Sequence, residues 1–311
     1  MRLQKSGRLS AVVAAVMVAL GAGGAQASAE PAPLPVPYSS LQSVGAAIMN
    51  PDSDPPGAND WSCKPTEEHP YPVVLAHGTL ANMALNFGTL APLLKNNGYC
   101  VFAANFGQEP GAGYIGYPGA TIASGTASMA QSAAELAELV ERVKAATGAP
   151  KVDIVGHSQG GSMPRYYLKY LGGAESVDKM IALGPSNHPG SNPLAELLPG
   201  AAAALGAGGI EQTSLSDFLH ELNEGGETMP GVTYTVITTK YDLIVVPYTA
   251  AFLSGDNVTN ILLQDECPQN MADHMSLAFD KLTLSYVLNA LDPSYPIAAC
   301  EFSPPLLGSF R

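Results

Sequence analysis

The sequence predicts an α/β fold in which a mainly parallel central sheet is flanked by helices. Three observations predict it. From near Trp61 onward, short apolar strand-like stretches alternate with helix-like ones. A serine bracketed by glycines, Gly156-His157-Ser158-Gln159-Gly160, sits where a strand-like run hands over to a helical one. The 311 residues are 46% hydrophobic and only 13% charged. Once an N-terminal leader is set aside, the remaining chain of about 280 residues can bury one large core.

The leader is residues 1–27. Arg2, Lys5 and Arg8 stand there without any acid, followed by an apolar run over 11–20 and the small-residue end Ala25-Gln26-Ala27. That order reads as a secretory signal peptide, cut after Ala27 or, by the overlapping Ala27-Ser28-Ala29, after Ala29. The apolar run is shorter than the roughly 20 residues a membrane-spanning helix needs, so a secreted, extracellular chain without a stable membrane anchor is expected. Formal net charge is -13, and loss of residues 1–27 removes three positive charges and no negative ones, leaving -16. So acidic a chain is not expected to bind nucleic acid.

Each element follows in order. Residues 28–60 contain Pro31, Pro33, Pro35, Pro37, Pro51, Pro55 and Pro56, can hardly form a regular core and read as a surface-hugging arm. The organised domain is expected over 61–311. Residues 72–76 form a strand ending in His77-Gly78-Thr79, 90–96 a helix and 100–104 a strand. A helix over 128–146 carries Leu136, Leu139, Val140 and Val143 at helical spacing, with Glu135, Glu138 and Glu141 elsewhere on the wheel, and Gly148 stops it. A strand at 151–155 turns at Gly156 into a helix over 161–171. Further strands are expected at 179–183, 233–238 and 258–263, with a final helix after His274. The excursion over 185–230, rich in Ala, Leu and Gly, is long enough to be a cap or lid.

Cys63, Cys100, Cys267 and Cys300 allow three pairings in an exported chain. Cys63 with Cys100 and Cys267 with Cys300 is favoured. The first pair ties the segment before the 72–76 strand to the next strand, and the second ties the C-terminal tail to the loop before the last helix. Zinc binding is disfavoured because no two cysteines make a C-x-x-C knuckle, and no catalytic metal or cofactor is expected.

A strand, then Gly-x-Ser-x-Gly, then a helix has a mechanical rationale. The glycines permit a strained turn that lifts the Ser158 hydroxyl above the sheet edge, with a helix N-terminus behind it. A serine hydroxyl needs a base, and this arrangement runs in the order Ser, acid, His. Of the three histidines after Ser158, His274 in Asp273-His274-Met275 lies just after the last strand, whereas His188 and His220 lie in the excursion and read as surface or mouth residues. Asp242, after the 233–238 strand, is the best acid; Asp256 and Asp265 are alternatives, and any of the three could simply cap a turn. A tetrahedral oxyanion needs preplaced N–H donors, for which the Gln159 amide and the Thr79 amide are the candidates, with the Thr79 hydroxyl as a third. His77 reads as a brace for that loop. Residues 194–205 and 218–222 could line an acyl pocket, form a mobile lid or pack on the core. Asn257-Val258-Thr259 is a weak glycosylation match.

These pieces, from Pro72-Val73-Val74-Leu75-Ala76-His77-Gly78-Thr79 through Gly156-His157-Ser158-Gln159-Gly160 to Tyr241-Asp242 and Asp273-His274, resemble the secreted bacterial triacylglycerol lipases of the actinobacterial class 2 group. More specific than the serine motif are Pro247-Tyr248-Thr249, Gln264-Asp265 before Cys267-Pro268, and the ending Val287-Leu288-Asn289-Ala290-Leu291-Asp292-Pro293. The resemblance spans about residues 60–300 and implies an α/β-hydrolase fold with a cap-like insertion. It also implies Ser158 as nucleophile, Asp242 as acid, His274 as base, Thr79 and Gln159 amides as oxyanion hole, two disulfides, and cofactor-free hydrolysis of acylglycerols.

Rival readings use the same residues. They are an acyltransferase with an alcohol or sugar acceptor, a short-chain esterase, a polyester hydrolase, and a catalytically silent binding or envelope protein. An ester or lipid substrate met at a lipid–water interface by a monomer is the expectation that the apolar excursion and exported character favour.

Overall fold

The computed structural model describes residues 32–109, 124–190 and 201–309. The expected leader lies outside them, as does the 191–200 part of the excursion. Leu34–Arg311 is one compact unit.

Six strands make one sheet: β1 (Val73–Ala76), β2 (Val101–Ala103), β3 (Val152–His157), β4 (Val177–Leu183), β5 (Thr233–Thr238) and β6 (Val258–Leu262). The order is β2-β1-β3-β4-β5-β6 and every pairing is parallel. Parallel strands need helical crossovers, which cover both faces, so the central strands are apolar on both sides. In β1, Val74 and Ala76 join one core, with Met129, Leu136 and Val140 of α4 (Met129–Thr147) and Met163 and Leu168 of α5 (Gln159–Tyr170). Val73 and Leu75 enter the other core, with Leu90 and Leu94 of α3 (Leu90–Asn96) and Leu284, Val287 and Leu288 of the last helix, Lys281–Leu291. The chain reverses its direction across the sheet at β1, and the carboxyl ends of β1 and β3 there form the crevice where such sheets place their sites.

Local chemistry sets the element ends. Ser128 caps α4 by accepting from Gln131 N–H at 3.2 Å, and Gly148 at φ 81° ends it. β3 runs two residues beyond the expected strand, through Gly156 and His157, because His157 is buried and pairs with Leu183 of β4. Within the expected arm over 28–60, Ser40–Met49 is a helix, α1. It occupies the proline-free interval between Pro37 and Pro51, with Ser39 as its cap, and buries Ser40, Ser43 and Ala47. Within α1, Leu41, Val44, Ile48 and Met49 remain exposed.

Both favoured disulfides are formed, Cys63–Cys100 and Cys267–Cys300. Among the described residues no helix is long and apolar enough to cross a membrane. Within the described part of the excursion, a helical stretch at Ala201–Ile210, kinked at Gly206, and a short helix, Phe218–Asn223, pack onto the domain. Gly208 N–H donates to Thr126 O, and the Glu211 carboxylate accepts from Met129 N–H at the start of α4.

Candidate active site

Between β3 and α5 the chain turns on one residue. Ser158 has φ 56° and ψ −125°, a conformation that a side chain makes costly. The flanking glycines explain how the turn is tolerated. A Cβ on Gly156 would strike the Gly160 carbonyl, and one on Gly160 would strike the carbonyls of Ala76 and His77. The turn is pinned by Ser158 N–H to Leu183 O at 2.8 Å and Gly161 N–H to Ser158 O at 2.8 Å. Ser158 retains 8% exposure.

Asp242 and His274 meet in the crevice. The Asp242 Oδ1 accepts the Ile244 and Val245 amides at 2.8 Å each, which leaves Oδ2 for His274 Nδ1 at 2.7 Å. Both residues are buried, Asp242 at 5% and His274 at 4% exposure. Since a carboxylate only accepts, Nδ1 carries a proton, and in the neutral imidazole Nε2 is the nitrogen with the lone pair. Gly184 joins this pair to the serine turn. It follows Leu183, the acceptor for Ser158 N–H, and a Cβ on it would lie 3.2 Å from His274 Nδ1 and 3.3 Å from Asp242 Oδ2.

On the other side of Ser158 stands the loop after β1. A Cβ on Gly78 would come within 2.9 Å of the Ser158 Cβ, so this backbone runs against the serine. Gly78 N–H donates to Asn86 Oδ1 at 2.8 Å. His77 braces the loop, with Nδ1–H donating to Gly78 O at 2.9 Å and Nε2 accepting from Phe106 N–H at 2.9 Å. One nitrogen donates and the other accepts, so the ring is neutral, and burial pulls its pKa down to about 4. Thr79 Oγ1 accepts from Gln212 Nε2 at 2.8 Å, which leaves the hydroxyl proton to donate elsewhere. Gln159 is the first residue of α5, where a backbone N–H has no intrahelical partner and the helix dipole favours negative charge.

The structure therefore brings Ser158, Asp242, His274, Thr79 and Gln159 around one crevice. It does not bring the alternatives there. His188 pairs with Glu227 at 2.8 Å, His220 is exposed on the Phe218–Asn223 helix, and Asp256 and Asp265 are exposed. The Asn257 amide is committed to the carbonyls of Met229 and Val232. Among the described residues no cluster of His, Cys, Asp or Glu is arranged to hold a metal ion. A polar cleft lined by Asp52, Asp54, Asn59, Trp61, Glu135 and Arg142 contains none of the candidate residues.

Sequence reasoning missed Asn86, Gly184 and Gln212. Asn86 had a weak signal, being a polar residue in the apolar stretch Met83–Phe87, which forms α2. Gln212 receives Ser186 Oγ–H on its Oε1 at 2.6 Å while donating to Thr79 and Gly208, and nothing local in the sequence marks it.

A parallel six-stranded sheet with a strained serine turn at its reversal point and a buried acid–imidazole pair beyond it defines an α/β-hydrolase. A family model described as lipase (class 2) matches residues 70–284, and the chain belongs to that family. Among solved structures, the fold is similar to Aspergillus fumigatus lipase B, with 21% identity and TM-score 0.60 over 79% of this chain. The chain spans 57% of that protein's length. It is also similar to the Bacillus licheniformis lipase BlEst2 in mature form, with 17% identity and TM-score 0.50 over 73% of this chain and 94% of that one.

Proposed function

We propose that this protein is a secreted triacylglycerol lipase that works through an acyl-enzyme on Ser158. The observation that carries the reading is the buried Asp242–His274 pair, with its protonated Nδ1 fixed by Asp242 and Gly184 joining it to the serine turn. His274 Nε2 takes the Ser158 proton as Oγ bonds the ester carbonyl carbon. The carbonyl π electrons move to oxygen, and the Thr79 and Gln159 amides, with the Thr79 hydroxyl, receive the oxyanion. Its collapse expels the alkoxide, which takes the proton from His274, leaving acyl-Ser158. Water repeats the sequence, with His274 as base, and releases the carboxylic acid.

The family supports an ester substrate. Exposed apolar side chains support a lipid one: Leu243, next to the acid, is 72% exposed, and Leu41, Ile48 and Met49 stand out from α1. Two disulfides and the leader-like residues 1–27 support export.

Wild type and Ser158→Ala, assayed on emulsified long-chain triacylglycerol and on p-nitrophenyl esters of rising chain length, test this. Emulsion hydrolysis that falls to background in the variant is expected. Turnover confined to short soluble esters would refute the lipase reading, and unchanged Ser158→Ala turnover would refute the triad.

A further inference from the structure

Two buried polar side chains at the site have no step in this chemistry. His157 and Asn86 are 2% and 1% exposed, and they lie between the loops that hold the two halves of the machinery. Asn86 Oδ1 accepts Gly78 N–H at 2.8 Å, Asn86 Nδ2 meets His157 Nδ1 at 3.1 Å, and His157 Nε2 meets the His274 carbonyl at 2.8 Å. Every direction in this chain is forced. The Gly78 amide can only donate, so Asn86 must turn its oxygen to it and its NH₂ to His157. His157 Nδ1 must then accept, which places the ring proton on Nε2, where the His274 carbonyl can only accept it.

We propose that Asn86 and His157 are positioning residues that tie the oxyanion loop to the base loop, holding Thr79 and His274 at a fixed spacing across Ser158. The proposal rests on the roles given above to Ser158, His274 and Thr79. Three features support it. No link can be reversed without leaving a buried polar group unpaired, so the relay has one state. His157 stays neutral: burial first, and the neighbouring His274 second, pull its pKa down to about 3. That matters because its ring lies 5.0 Å from that of His274, which becomes a cation during turnover, and a second cation there would oppose it. Finally, His157 adjoins Ser158 in the chain, so all three groups are referenced to one residue.

The test uses Asn86→Ala, His157→Gln and the double variant. Alanine suits the helical position of Asn86, and glutamine keeps a donor within reach of the His274 carbonyl while losing the link to Asn86. On a soluble p-nitrophenyl ester each single variant is expected to lose about 10- to 100-fold in kcat, the scale of a 1 Å misplacement, with KM within about twofold. Because both substitutions cut the relay at one joint, the double variant should be no slower than the slower single one. A kcat within about twofold of wild type in either folded variant, or losses that multiply in the double, would reduce the two residues to packing. Should His157→Gln fail to fold, Asn86→Ala decides alone by the same split. Failure of the triad reads differently, as unchanged turnover in Ser158→Ala.

Discussion

Gly78→Ala probes how closely the oxyanion loop is set against the proposed nucleophile. A methyl on Gly78 would lie 2.9 Å from Ser158 Cβ and 3.3 Å from the His157 carbonyl oxygen. Carbon atoms rest at about 3.5–4.0 Å, so the loop and Ser158 must separate by roughly 0.6 Å or more. Neither neighbour is the free end of a flexible side chain, so the separation has to come from backbone. That exceeds the roughly 0.5 Å within which a catalytic constellation must be held. Gly78 does not sit at positive φ, so alanine meets no backbone strain, and the Asn86 bond to its amide survives. The damage therefore falls on placement of the proposed Thr79 donors. Loss of one oxyanion donor costs about 10²–10³ in kcat, or about 3–4 kcal/mol, and kcat should fall in that range with KM little changed. Steady-state kinetics on p-nitrophenyl butyrate, with a thermal melt to establish folding, measures it. A folded variant with kcat within about threefold of wild type would refute the reasoning.

Asp242→Asn should be far more severe. Oδ1 is committed to two backbone amides, so the new NH₂ must take the Oδ2 place and face His274 Nδ1. That forces the proton onto Nε2 and removes the base; kcat should fall about 10⁴-fold, and a loss under tenfold on the same ester would contradict the assigned tautomer. Asp153 gives a stability prediction at the far end of β3. Burial, partly offset by Lys179, pushes its carboxyl from 3.8 up to about 7. The folded state therefore keeps a proton that the unfolded chain releases, so this contribution is complete below pH 3.8 and is lost as pH rises through 7. The resulting penalty above pH 7 is about 4 kcal/mol at most. Asp153→Asn keeps an oxygen acceptor for the Lys179 amide, and should raise the urea midpoint at pH 8 much more than at pH 4. An equal gain at both pH values would show that Asp153 titrates normally.

What could be read from the sequence were the features whose cause is local. The helix at 128–146 and the strand at 233–238 are written in spacing and branching, and Gly156 and Gly160 announce the serine turn because only glycine clears the carbonyls there. The proposed order Ser158, Asp242, His274 rests on where strands end. The helix Ser40–Met49 was hidden by the prolines on either side, which mask a short interval that packs against α2 (Met83–Phe87) rather than standing on its own propensity. His157, Gly184 and Gln212 could not be read, and Asn86 gave only a weak signal, since each acts on a residue far off in the chain: Gln212 on Thr79, 133 positions away, His157 on His274, 117 away, and Asn86 on His157, 71 away. Such pairings come into being only when β1, β3 and the loops after β4 and β6 are brought to one edge of the sheet.

The central claim is that Ser158 forms a covalent intermediate. Treatment with a p-nitrophenyl alkylphosphonate, followed by intact mass and peptide mapping, tests it most directly. One adduct per chain, on Ser158, with matching loss of activity and no adduct in Ser158→Ala, is the predicted result. An unlabelled Ser158 in inactivated protein, or labelling that survives in Ser158→Ala, would contradict it.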